Sequence, residues 1–232
     1  RPAISLKENA MAHLLPNFTC QALLLASASA MAQNNTVLVT SPAAQQVSGF
    51  ENLSLREVPF SATNIDNATL RDLGAQRISD ALRLDSSVTD SYNSPAYWDM
   101  LSVRGFMLDN RYNYRREGLP ISAETMIAVD NKERIELFKG TSGIQAGTSA
   151  PGGLANYIVK RPPNSIEAKT RSLTLGFGNG NNSSIALDLG GRYGDSNAFG
   201  YRINAAYENL NPSIYNAKGH RQLLSLAMDW RI

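Results

Sequence analysis

Four stretches towards the C-terminal end alternate apolar and polar residues. Read at period two, Leu173, Leu175 and Phe177 share a face, as do Ile185, Leu187 and Leu189. Phe199, Tyr201, Ile203, Ala205 and Tyr207 form a third apolar row, and Leu224, Leu226, Met228, Trp230 and Ile232 a fourth. The opposite faces carry Thr174, Gly176, Asp188, Arg202, Asn204, Glu208, Ser225, Asp229 and Arg231. Side chains on a strand point alternately to its two faces, so the pattern predicts antiparallel strands with one apolar and one polar surface. Segments of about ten residues with aromatics near their ends have the length and pattern of a transmembrane β-barrel wall. The chain stops inside the fourth segment, so the expectation is the front part of a longer protein.

Upstream, residues 51–163 read as mixed α/β. Leu70 and Leu73 lie three apart before Gly74, which predicts a short helix. Ser79 is the expected cap of a second short helix carrying Ala81, Leu82 and Leu84. Met100 to Val103 is a short apolar run before Arg104-Gly105-Phe106. Ile135 to Lys139 and Leu154 to Val159 read as strands, separated by turns at Gly140 to Gly147 and Pro151-Gly152-Gly153. Lys160-Arg161-Pro162-Pro163 closes the region, because two prolines cannot continue a ladder.

The bulk numbers narrow the function classes. Charged residues are 18% of the chain and the net charge is only +2, which argues against nucleic acid as a partner. No run of 18 or more apolar residues occurs, so any membrane crossing falls to strands. Residues 14–32 hold a short apolar core followed by Ala30-Met31-Ala32, the signature of a secretory signal cleaved after Ala32; a buried helix is the plain alternative. Cleavage would remove Cys20, the single cysteine, and with it any disulfide or thiolate metal site. Residues 33–50 are polar and small and read as an extended, mobile segment. Within them Thr36, Val37, Leu38, Val39 and Thr40 form a β-prone island, suited either to strand addition on another protein or to an ordinary first strand.

From Val103 to Pro163 the chain resembles the plug domain of TonB-dependent outer-membrane receptors, in particular the siderophore-receptor branch. The matching residues are Val103-Arg104-Gly105-Phe106, Asp109 to Pro120, Glu133 to Gly140, Gly143-Ile144, Gly147, Pro151 to Tyr157 and Lys160-Arg161-Pro162. Their order and spacing carry the resemblance. Val58 to Thr63 and Ile78 to Leu82 also fit the start of such a plug. The resemblance implies a signal peptide over 1–32, a TonB box and linker over 33–50, a plug over 51–163 and the first four strands of an outer-membrane β-barrel over 164–232. The fold class it implies is an α+β plug followed by antiparallel strands of a barrel of about 22 strands.

The same resemblance implies the partners: TonB, pairing by strand addition with Thr36 to Thr40, a ferric siderophore and the outer membrane, with no cofactor. The plug follows the box within about twenty residues, which leaves no room for a separate signalling domain and implies plain uptake. Four strands alone cannot close a barrel, so the expectation for this stretch by itself is neither transport nor stable insertion. Arg104 and Lys139, with Glu136 nearby, are implied at the plug–barrel interface, where buried charges need partners; a plain surface role is the alternative for Arg104. Tyr92, Tyr97, Trp98, Asn110, Arg111 and Tyr112 fall in the segments that form the plug's outward apices. Aromatic walls and an Arg donor suit bulky, oxygen-rich ferric chelates, while core filling is the alternative for Trp98 and Tyr112.

Enzyme readings fail on inspection. Lys139 precedes its glycines, the reverse of a P-loop, and Gly176-Phe177-Gly178 lies between period-two runs, not before a helix. His220 is the one histidine past Ala32, with no triad around it. Asp85, Asp90, Asp99 and Asp109 lack the tight spacing of a Ca2+ loop. Two other readings stay open: a self-contained secreted α+β binding module whose last strands pack on its own core, and a receptor for another nutrient such as cobalamin.

Overall fold

The computed structural model describes residues 48, 55, 57–92, 98–140, 151–178, 181–194, 197–212 and 214–231. The expected signal peptide and the β-prone island Thr36 to Thr40 lie outside the described residues. Twelve strands and two helices follow in order among those described: β1 (Ser61–Asp66), α1 (Asn67–Asp72), α2 (Ile78–Leu82), β2 (Val88–Asp90), β3 (Leu101–Val103), β4 (Phe106–Met107), β5 (Tyr114–Arg116), β6 (Leu119–Pro120), β7 (Lys132–Lys139), β8 (Gly153–Val159), β9 (Thr170–Phe177), β10 (Ser183–Tyr193), β11 (Phe199–Leu210) and β12 (Gly219–Trp230).

The first part is built on a five-stranded mixed sheet of order β1-β7-β8-β5-β6, with a small sheet β2-β3-β4 beside it. Among the described strands only β5 and β8 run parallel. Two of the sharpest sequence motifs are two-residue hairpin turns. Arg104 (φ 52°) and Gly105 (φ 85°) link β3 to β4, and Glu117 (φ 53°) and Gly118 (φ 78°) link β5 to β6. Positive φ at both central residues is the geometry that matches the twist of paired strands. Both helices and both sheets close on one core that includes Leu70, Ile78, Leu82, Leu101, Tyr114, Ile135, Leu137 and Tyr157. Gly153 is irreplaceable there: its φ is +146°, and an added Cβ would run into the carbonyl oxygen of Phe138 on the neighbouring strand.

Local expectations need four corrections. Ser79 lies inside α2 instead of capping it, because its hydroxyl donates at 2.6 Å to the buried carboxylate of Asp99. The helix ends at Leu82, leaving Leu84 largely exposed. Strand β7 starts at Lys132, three residues before the expected Ile135. Ser48, at the end of the segment expected to be mobile, is half-buried in a turn and bonded to β7. The first helix follows its pattern: Asp66 caps it by accepting from the Thr69 amide at 2.8 Å, and Gly74 turns out of it at φ 59°.

The second part is a four-stranded antiparallel meander, β9-β10-β11-β12. Its register confirms the period-two reading. Leu187 pairs with Leu173 and Ala205, and Ile203 with Leu189 and Leu226. On the other face Asp188, Asn204 and Ser225 stand in line. Leu173, Leu175, Leu187, Leu224, Leu226 and Met228 are all exposed and Ile203 is half-buried, so the apolar rows are not sealed in a core of their own. Tyr193, Phe199 and Trp230 cluster at one end of this face, with ring centroids 4.9 and 6.1 Å apart in sequence. The polar face is largely covered, with Arg192, Asn204 and Glu208 nearly inaccessible and Asp188, Arg202 and Ser225 half-buried. Glycines make room for its cations: a Cβ on Gly190 would sit 2.6 Å from the Arg202 Cδ.

Candidate functional site

Charged residues on the polar face of the meander pair both with one another and with the mixed-sheet body. Arg221 of β12 donates to Asp130 at 2.7 Å, to Glu208 on the neighbouring strand at 2.8 Å and to Gln76 at 3.1 Å. Lys160 reaches out to Asp188 of β10 at 2.8 Å, and Arg202 of β11 forks onto the same carboxylate. Lys160 also donates to the carbonyl of Asp130 at 2.7 Å, tying the two clusters together. Asn131 adds a bond to the Ser225 hydroxyl at 3.0 Å. The charges are mostly withdrawn from water, with Lys160 5% and Asp188 14% exposed. Buried charges persist only with such pairing.

Arg104, Glu136 and Lys139, implied at the plug–barrel interface, make no ion pair with β9–β12 among the described residues. Lys139 pairs with Asp85 at 2.6 Å, inside the mixed-sheet body. Asp85 also accepts from Thr63 and Ser87. Burial alone would raise its carboxyl, but the Lys139 ammonium and these hydroxyls hold it well below the usual carboxylate range. Glu136 is fully buried in the same body, bonded by Arg134 at 2.8 Å and Asn156 at 2.9 Å. Arg104 is exposed at its hairpin turn and makes no ion pair among the described residues. Lys132, beside Asp130, is a buried cation over the Tyr157 ring at 5.7 Å. Desolvation, aided by Arg116, pushes its pKa down to about 8.

A cleft of about 1140 Å3 opens between the two parts, at the end of the meander away from the Pro163–Thr170 connection. Arg77, Trp98 and Met126 line it from the body, and Phe177, Leu210 and Ile214 from the meander. Trp98 is half-buried there, and its indole Nε1 is buried with no acceptor among the described residues. Tyr92, 44% exposed, meets Trp98 edge-on at 6.4 Å between centroids. Arg111 and Tyr112 are exposed and adjacent, with the guanidinium carbon 5.8 Å from the ring centre. Arg111 also lies 3.9 Å from Glu124, which lines the cleft. Asn110 is buried, and its amide donates to the carbonyls of Asp99 and Ala123, so it braces the loop beneath the aromatics. Tyr97 lies outside the described residues. Under the cleft, Asp99 is buried and its carboxyl is raised by desolvation, against the pull of Ser79 and Arg77.

Sequence reasoning missed Asp130, Lys160, Asp188 and Arg221 as a set. The signal available was the phase of Asp188, Arg202 and Glu208: charges on the inner face of strands that read as membrane-spanning require partners.

Comparison with known proteins accounts for both parts. Residues 54–154 match the TonB-dependent Receptor Plug Domain. The chain is 27% identical over 76% of its length to the ferrichrome receptor FcuA of Yersinia enterocolitica. It is 24% identical over 86% of its length to the ferrioxamine B receptor of Salmonella typhimurium. It spans 23% and 29% of those proteins. The pyoverdine outer membrane receptor FpvA of Pseudomonas aeruginosa superposes with a TM-score of 0.69 at 23% identity, over 78% of this chain and 26% of that one. The mixed sheet with its short helices is therefore the plug, and the meander matches the start of the receptor barrel. Residues 54–154 thus carry the plug-domain pattern, and over most of its length the chain resembles the N-terminal plug region and following barrel strands of ferric siderophore receptors.

Proposed function

We infer that this protein takes up a ferric siderophore across the outer membrane, with energy delivered through TonB to Thr36 to Thr40. In this reading residues 1–32 are a cleaved signal peptide, 33–50 the box and linker, 51–163 the plug and 164–232 barrel wall. The observation that carries it is the two-faced meander: an apolar face exposed, and a polar face ion-paired to the plug through Asp130–Arg221 and Lys160–Asp188. A plug held this way blocks the wall's interior and can let go without covalent chemistry.

We assign the ligand site to the cleft lined by Trp98 and Glu124, with Tyr92 against Trp98 and the Arg111–Tyr112 pair beside Glu124 at its margin. Apart from Lys218, its charges are neutralised from within. Arg221 faces Asp130 and Glu208, Arg77 lies 3.8 Å from Asp99, and Glu124 faces Arg111. Such a lining suits a ferric complex of low net charge, as a neutral trihydroxamate is, over a polyanionic tricatecholate, which would need several free cations.

Titration of the purified chain with a neutral ferric trihydroxamate and an anionic ferric tricatecholate, followed by quenching of Trp98, tests both levels. Tighter trihydroxamate binding, weakened by Arg111→Ala and Tyr112→Ala, is expected. Tighter tricatecholate binding would overturn the charge argument, and no binding of either would overturn the site. For TonB, a binding assay with its periplasmic domain should lose the interaction when Thr36 to Thr40 are deleted.

A further inference from the structure

Glu136 lies at the centre of the plug, on β7, and is completely inaccessible to solvent. Four donors converge on its carboxylate. Arg134 Nε and Asn156 Nδ2 come from the sheet, at 2.8 and 2.9 Å. The other two come from one residue 88 positions earlier: the Ser48 backbone N–H and its hydroxyl, both at 3.0 Å on Oε1. Arg134 Nη2 closes the ring by donating to the Ser48 oxygen at 3.3 Å. Glu136 stands opposite Asn64 of β1 on one side and Asn156 of β8 on the other. Asn156 in turn accepts from the Gly118 amide of the β5–β6 turn at 3.0 Å. One buried carboxylate therefore ties the segment before the plug to three strands and a hairpin.

We propose that the Ser48–Glu136 contact is the point at which force applied to the N-terminal segment enters the plug, and that its rupture is the first step of plug release. The inference rests on the TonB-coupled reading above. Ser48 lies between the segment to be pulled, Thr36 to Thr40, and the first plug strand. Tension along the chain reaches Ser48 before it reaches β1. Withdrawing Ser48 removes two of the four bonds on a buried anion and opens it to water. A carboxylate so exposed no longer favours the closed sheet, because burial of a charge is tolerated only while its hydrogen bonds are complete. Arg134 and Asn156 then lose their shared acceptor geometry, and the loss is felt on β7 and β8 together. Ser48 is thus a positioning residue: it touches no ligand and acts through Glu136.

Single-molecule pulling on the full chain from a handle placed before Thr36 tests this directly. The unmodified chain should show an early rupture before the unfolding of β1. Ser48→Pro removes the N–H donor and the hydroxyl together, and should abolish that event. Ser48→Ala keeps only the N–H and should lower its force, while Ser48→Thr keeps both donors and should restore it. Pulling from the C-terminal end should leave the order of events the same in all variants. An early rupture of unchanged force in Ser48→Pro would overturn the proposal. That failure is separable from failure of the transport reading, because the pulling record needs neither ligand nor TonB. Should ferric complexes bind while the Ser48 series shows no change, the latch alone is refuted.

Discussion

Replacing Arg221 with Met removes one side chain that holds the plug to the wall from two directions. The guanidinium is 11% exposed and bridges Asp130, 15% exposed, and Glu208, 8% exposed. Its loss strands two nearly buried carboxylates, and breaking a buried pair by removing one partner costs about 3–5 kcal/mol. Asp130 keeps some access to water, which favours the lower end, about 3 kcal/mol. That corresponds to roughly 150-fold in the docking equilibrium, at 1.36 kcal/mol per tenfold. The chain holds two tryptophans, Trp98 on the plug and Trp230 on the wall. Trp98→Phe and Trp230→Phe backgrounds therefore report the two parts separately in urea. Arg221→Met should move the Trp98 transition down by about 1.5 M, for a slope near 2 kcal/mol/M, and move the Trp230 transition much less. Asp130→Asn alone should be milder, and the double variant should cost less than the sum of the two. An additive double variant, or equal shifts at both tryptophans, would refute the interface as drawn.

Further outcomes follow from the plug. Lys132, held at about 8 in the folded chain and near its ordinary 10.5 when unfolded, opposes folding while both states are charged. Between pH 8 and 10.5 the folded state gives up its proton first, so stability should rise by up to about 3 kcal/mol. Lys132→Met should abolish this rise and be the more stable protein below pH 8, as read by denaturation at several pH values. Asp85, held below the usual range, contributes stability that is present above its ordinary pKa and lost as the solution is acidified below it. Asp85→Asn should be destabilised at neutral pH and lose that acid sensitivity in thermal melts. Gly153→Ala forces a Cβ against the Phe138 carbonyl oxygen in a left-handed backbone and should cost about 3 kcal/mol or more. Recovery of folded protein with β7–β8 amide protection checks it.

The meander was legible because a sheet with one apolar and one polar face writes both into alternate residues, and Leu173, Leu187, Ile203 and Leu226 share a face as that rule requires. The plug motifs were legible where chain geometry demands particular residues, as in the Arg104-Gly105 and Glu117-Gly118 turns. What the sequence hides is pairing at a distance. Asp130 and Arg221 are 91 residues apart, and nothing local to either marks the other. Lys139 reads equally well as an interface cation, and only the fold brings Asp85 to it. Ser79 has the chemistry of a cap, but a buried carboxylate twenty residues later claims its hydroxyl. Asn110 sits among exposed apex residues in sequence, yet its amide turns inward to two carbonyls.

The central claim is that the apolar rows of the meander meet lipid while the reverse face wraps the plug. Leu226 and Ala227 are consecutive on β12 and point to opposite faces. Nitroxide labels placed at each, in a complete barrel that carries these strands reconstituted into bilayers, can be compared for collision with oxygen, which concentrates in acyl tails, and with a water-soluble nickel reagent. The account predicts high oxygen and low nickel accessibility at Leu226, and low accessibility to both at Ala227. Nickel reaching Leu226 freely, or a label at Leu226 shielded from both reagents, would contradict it.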